Sequence, residues 1–150
     1  MKVFIDTNVI IEYLVARERL DVAKQVIDRL VEKHTDICMS VGGFYTILYS
    51  IDKFIRKELN LSKNLRLDTM RTIARGLLTN YSVAEHDNES LLKSITDLRF
   101  TDLEDSCQLQ VAIKSGCQYL LTFNTKDYPA NDGKQIIVLS PEEFLGTYLK

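Results

Sequence analysis

Val3, Phe4 and Ile5 form an unbroken apolar run that stops at Asp6, and behind it the apolar positions change period. Val9, Ile10, Tyr13 and Leu14 recur at helical spacing, and Leu20, Ala23, Val26, Ile27, Leu30 and Val31 do so again. The pattern predicts a strand from residue 2 and two helices after it, the first over Asn8 to Ala16. Asp36 to Ser40 reads as a second strand, and the Gly42-Gly43 pair as a close-packed turn. Phe44, Ile47, Leu48, Ile51, Phe54 and Ile55 then give a third helix. A fourth spans Lys63 to Leu78, with Leu67, Met70, Ile73, Ala74, Leu77 and Leu78 inward. Tyr81-Ser82-Val83 reads as a brief strand. Leu91, Leu92, Ile95 and Leu98 mark a helix starting near Asp87-Asn88. Phe100-Thr101-Asp102 introduces a long helix to Ser115, stopped by Gly116 as its C-terminal cap. Tyr119 to Thr122 and Gln135 to Leu139 are the last strands, and Ser140-Pro141 opens a final helix.

Strands alternating with helices predict an α/β fold: a three-layer α/β/α sandwich around a central, mainly parallel sheet. Right-handed crossovers then gather the strand ends at Asp6, Ser40, Ser82 or Val83, and Thr122 along one edge. That edge is where open α/β sheets bind ligands. The 150 residues, 45% hydrophobic and 27% charged, read as a single domain over 1–150 with no linker, low-complexity tract or repeat. Cys38, Cys107 and Cys117 are an odd number without paired metal-ligand spacing, so reduced thiols and a cytoplasmic setting are expected. No signal peptide precedes Asp6, and no apolar run approaches membrane-spanning length, so no membrane partner is expected. The net charge of -2 argues against coating nucleic acid by bulk electrostatics but leaves nucleic acid open as a substrate. Lys53, Arg56 and Lys57 form one local basic group, and Lys63, Arg66, Arg71 and Arg75 another.

Asp6 at a strand tip is more than a helix cap requires, because Thr7 and Asn8 stand nearer the helix and cap equally well. A second acidic segment, Asp102-Leu103-Glu104-Asp105, opens a helix, where acids complement the macrodipole. Helical phase separates these acids. Asp105 shares a stripe with Leu109 and Ala112 and faces inward, Asp102 lies close to that stripe, and Glu104 is rotated about 100° away toward solvent. A third polar segment, Asn124-Thr125-Lys126-Asp127, follows the strand ending at Thr122. Two carboxylates about 4 Å apart repel by about 4 kcal/mol at an effective dielectric of about 20, so gathering them requires a proton or a cation. Oxygen ligands without His or Cys point to Mg²⁺ or Mn²⁺.

These segments, Asp6-Thr7-Asn8, Asp102 to Asp105 followed by Ala112 and Gly116-Cys117, and Leu121 to Tyr128, occur in an order that resembles the PIN domain family over nearly the whole chain, to the closing Leu139 to Leu145. The resemblance implies a metal-dependent ribonuclease of the kind found as toxins in bacterial toxin-antitoxin pairs, with RNA as substrate and an antitoxin protein as partner. It places the family's first acid on Asp6, the helix-start acid on Asp105 and the last, Asn-tolerant position on Asn124. Asp6 and Asp105 would hold the ion, with Asp102, Glu104 or Asp127 as reinforcing acids and Asn124 completing the catalytic set. Thr7, Asn8, Ser106 and Lys126 would position substrate, with the basic helices near Lys53 and Lys63 guiding a single strand.

One position departs from the family. The Glu usual at the start of the helix after the second strand falls on Gly43, and no carboxylate stands between Asp36 and Asp52. A weak metal site is therefore expected, and two readings stay open: a nuclease, or a PIN domain that binds RNA or protein without cutting. A response-regulator or Rossmann-like alternative needs a glycine-rich turn or an acidic pair after the first strand, which Asp6-Thr7-Asn8-Val9 lacks. Phe44, Tyr45 and Tyr49 exceed what one helix face needs, pointing either to a homodimer or to extra core.

Overall fold

The first strand, β1 (Lys2–Ile5), sends apolar side chains to both faces and is the middle strand of the sheet. The structure, a computed structural model, describes residues 1–130 and 135–149. With β2 (Asp36–Ser40), β3 (Ser82–Ala84), β4 (Tyr119–Leu121) and β5 (Ile137–Leu139), β1 forms a five-stranded sheet in the order β3-β2-β1-β4-β5. Every neighbouring pair is parallel, with Phe4 opposite Cys38 on one side and Leu120 on the other. Parallel sheets are stable when both faces are covered, which explains the near-continuous apolar strands.

Seven α-helices cover the faces among the described residues: α1 (Thr7–Val15), α2 (Leu20–Glu32), α3 (Val41–Glu58), α4 (Lys63–Asn80), α5 (Asn88–Thr96), α6 (Leu103–Lys114) and α7 (Pro141–Tyr148). Side chains alternate along each strand. Val3, Ile5, Ile37, Met39 and Leu121 enter a core shared with Val9, Ile10, Leu30, Ile47 and Phe144. Phe4, Cys38 and Leu120 enter the opposite core with Leu109, Val111, Ala112 and Tyr128. Cys38 and Cys117 are buried, Cys107 is half-buried, and all three are free thiols. Among the described residues no helix is long and apolar enough to cross a membrane.

Three local expectations change. The Gly42-Gly43 pair is not a separate turn but lies in the first turn of α3, because the Ser40 hydroxyl caps that helix by accepting from the Gly43 amide at 2.8 Å. In α4, Leu78 is exposed and Leu77 is the one fully buried residue.

The inversion in α5 is larger. Leu91, Leu92 and Ile95 are exposed, while Ser90 and Ser94 are the buried residues. Small side chains let α5 lie close against α6, and the serines satisfy their own hydroxyls locally: Ser94 Oγ donates to the Ser90 carbonyl at 2.8 Å. Ser106 on α6 donates to the Ser94 carbonyl at 2.7 Å. An apolar stripe gives a helix its period but does not name the neighbour that packs against it.

Candidate active site

Parallel pairing brings the carboxyl ends of β1, β2 and β4 together, and the polar residues that follow them meet there. Asp6 follows β1 directly, with its amide donating to the Leu121 carbonyl of β4 at 2.9 Å. Its side chain is buried and heavily bonded. Oδ1 accepts from the Thr7 amide at 2.7 Å, capping α1. Oδ2 accepts from Thr122 Oγ1 at 2.8 Å, Asn8 Nδ2 at 3.0 Å and Tyr128 OH at 3.3 Å. Asn8 also donates to Thr122 Oγ1 at 3.0 Å and accepts from the Phe123 amide at 3.1 Å, clamping the turn after β4 to α1. Burial outweighs these donors and pushes the Asp6 carboxyl up to about 6.

Asp105 stands in the first turn of α6, half-buried, with Asp102 as the N-cap whose carboxylate accepts from the Glu104 amide at 2.8 Å and the Asp105 amide at 3.4 Å. No protein group among the described residues donates to the Asp105 carboxylate. Desolvation first, then the negative charges of Asp6, Asp102, Asp127 and Glu104, push it up to about 7. Asp6, by contrast, feels Glu104 only weakly against its burial. The Asp105 environment therefore favours either a proton or a cation.

Ser40, Gln108 and Thr7 form a neutral network between these acids and α3. Gln108 Nε2 donates to Thr7 Oγ1 at 2.9 Å, while Ser40 Oγ donates to Gln108 Oε1 at 2.7 Å. All three are buried. A Cβ at Gly43 would lie 2.8 Å from Thr7 Oγ1 and 3.0 Å from Ser40 Oγ, so this network fills the space that a side chain there would need.

The remaining candidates are spread around this centre. Asp102 and Asp127 are exposed and reach Asp105 through charge. Asn124 is exposed after β4, and its amide donates to Thr122 Oγ1 at 3.1 Å. Lys126 is exposed on the short 3-10 turn Thr125–Asp127. The Ser106 hydroxyl points away, held by Ser94, and the Thr7 hydroxyl is engaged by Gln108. Of the basic helical residues, Arg56 and Arg66 both pair with Asp52, and Arg71 pairs with Asp68.

Sequence reasoning passed over Thr122 and Gln108 as site residues, and it quoted Tyr128 only as part of a motif. Gln108 had a readable signal, since it lies three residues after Asp105, on the same side of α6. Arg19 was also missed: it stacks over the Phe123 ring at 4.8 Å, beside a groove that also contains Asn8, Arg17 and Asn124.

Among the described residues, no three His, Cys, Asp or Glu side chains form a ready-made metal cluster. Asp6 and Asp105 are the residues best able to share a cation. Their all-oxygen donors suit a hard divalent ion, which keeps several waters and needs only one or two protein carboxylates.

No curated protein sequence matches the chain. Among solved structures, VapBC2 from Rickettsia felis, in a crystal with a DNA fragment from the promoter, is similar in fold. It aligns over 93% of this chain and 98% of that one, with a TM-score of 0.64 and 16% sequence identity. The PIN domain family model matches residues 2–126, a span from β1 through α6 to the turn after β4 that contains Asp6, Asp105 and Asn124. The chain belongs to the PIN domain family.

Proposed function

We propose that the protein is a ribonuclease dependent on Mg²⁺ or Mn²⁺, acting as the toxin of a toxin-antitoxin pair in the cytoplasm. The observation that carries this reading is Asp105: a half-buried carboxylate with no donor among the described residues, set among four other acids. Asp6 and Asp105 would hold the ion. Thr122, Asn8 and Tyr128 fix the Asp6 carboxylate, leaving Oδ1, with a single amide donor, as its freer oxygen. When bound, such an ion lowers the pKa of water and offsets charge on a phosphate during in-line attack. Asn124, exposed beside the same strand end, offers an amide to the reacting phosphate, and Lys126 offers a cation to the strand. Arg17 and Arg19 line the groove beside Asn124 together with Glu12 and Glu18, so the charges there are balanced. An antitoxin partner belongs to the same reading, supported by the likeness in fold to VapBC2.

A second reading, a PIN domain that holds RNA or protein without cutting, is favoured by the neutral network at Gly43. Assaying cleavage of single-stranded RNA with Mn²⁺ or EDTA separates the two. The nuclease reading expects cleavage that needs the ion and is lost in Asp105→Asn. RNA binding without cleavage supports the second reading, and cleavage unchanged in Asp105→Asn overturns the site.

A further inference from the structure

Another groove shares no residue with the site around Asp6 and Asp105. It lies between α1, α2 and α4 and encloses about 440 Å³. Leu14, Ile27, Val31, Ile73 and Leu77 make its walls apolar. Gly76 leaves one wall bare, since a Cβ there would meet nothing within 4 Å. Size and lining are those of a small-molecule site, which also needs a few fixed polar groups.

Tyr81 supplies the first of these. It stands where α4 ends, only 7% exposed, and its hydroxyl has no hydrogen-bond partner among the described residues. The oxygen is nevertheless not sealed in the core, because every fully buried side-chain oxygen among the described residues has a partner. Burial, then the charges of Tyr13 and Asp28, raises the phenol above its ordinary range and keeps it protonated. Tyr13 and Asp28 both line the groove, so the Tyr81 hydroxyl faces into it. Buried polar groups are almost always bonded, and here the surrounding helices offer this one nothing.

The rim carries one sign of charge. Asp28 and Glu32 stand one turn apart on α2, and no Lys, Arg or His lines the groove. Lys24 pairs with Asp28 from outside it, while Glu32 is in no ion pair among the described residues. Asn80 spends its Nδ2 on the Gly76 carbonyl, so it too presents an oxygen. The groove therefore offers acceptors and phenols above apolar walls. We propose that it binds a small organic cation, a primary amine on a single-ring or branched aliphatic body, with the ammonium donating to the Tyr81 hydroxyl oxygen beside the carboxylates of α2. The apolar body lies among Leu14, Ile73 and Leu77. This site is independent of the nuclease reading above.

Phenethylamine, phenethyl alcohol and hydrocinnamate share one apolar body and differ in head-group charge. Each is titrated into the full-length protein and followed by amide chemical shifts, with variants first checked for a cooperative thermal transition. The amine binds saturably, the neutral alcohol about tenfold more weakly, and the carboxylate not at all, because a hydrogen bond to a charged group outweighs a neutral one. Tyr81→Phe, which keeps the ring and removes the hydroxyl, weakens the amine about fivefold. Glu32→Gln weakens the amine and leaves the alcohol unchanged. Gly76→Leu fills the groove from the bare wall of α4 and abolishes both. Equal binding by all three ligands overturns the proposal, as does amine affinity unchanged in Tyr81→Phe or in Gly76→Leu. Absence of amine binding overturns it as well, whether the groove then takes an amphipathic peptide helix or, by sedimentation, a second copy of the chain.

Discussion

The two central carboxylates are the same residue type at neighbouring ends of the fold, and both are pushed above the ordinary carboxylate range, yet their surroundings are opposite. Asp6 is enclosed by donors from α1, β4 and the turn beyond. Asp105 is half open and faces other acids. One holds the site together and the other leaves it electrostatically unfinished. A buried carboxylate with four donors is part of the fold's hydrogen-bond network. A carboxylate facing like charges is disfavoured in its charged form and is raised toward the neutral one.

The strongest way to break that contrast is to remove each acid in turn and measure stability by urea unfolding in EDTA. Asp6→Ala strands the Thr122, Asn8 and Tyr128 donors, and a buried unsatisfied group costs about 1–3 kcal/mol, so a loss of about 2–4 kcal/mol is expected after partial relaxation. Asp105→Asn removes repulsion from a site without donors and leaves stability equal or higher. Similar losses in both variants would erase the distinction.

Gly43→Ala probes the neutral network of Thr7, Ser40 and Gln108. Its Cβ must move the Thr7 and Ser40 hydroxyls, and overpacking of this kind costs about 1–3 kcal/mol. Neutral stability would mean that the network yields freely and that a side chain at position 43 was never excluded.

The gentlest probe is pH. Asp105, raised to about 7, binds its proton more tightly folded than unfolded. Unfolding stability therefore falls as pH rises from about 4 through 7 and levels off above it, the sign required when the native state holds more protons. Asp6, raised to about 6, contributes in the same direction over a narrower window. Thermal midpoints measured in EDTA across that range should fall with pH, and the decline should be shallower in Asp105→Asn. A decline of equal slope in both proteins would assign the titration to Asp6 and not to the exposed side of the site.

Much of this architecture is legible from residue periods. The apolar runs at Val3 to Ile5 and at Tyr119 to Leu121 could belong only to strands covered on both faces, and the inward phase of Asp105 follows from Leu109 and Ala112. What sequence could not give is the identity of neighbours. The stripe of α5 has a clear period, but the approach of α6 decided that Ser90 and Ser94 would be inside and Leu91, Leu92 and Ile95 outside. Gly42 and Gly43 carry turn chemistry in isolation, and only the Ser40 cap makes them the start of α3. Thr122 and Tyr128 belong to the Asp6 environment through bonds spanning 116 and 122 residues, which no local pattern encodes. The same holds for Gln108, whose partners Thr7 and Ser40 come from two other strand ends.

The central place of β1 has a consequence for timing. β1 gains its second partner only when β4, which begins at Tyr119, has been made, and Asp6 finds Thr122 and Tyr128 only after that strand docks. Synthesis proceeds from the amino terminus, and pairings between distant segments are slow to form. A nascent or truncated chain ending before β4 therefore has Asp6 without its clamp. The Asp6 network is therefore a late product of synthesis, closed across the 116 residues that separate Asp6 from Thr122.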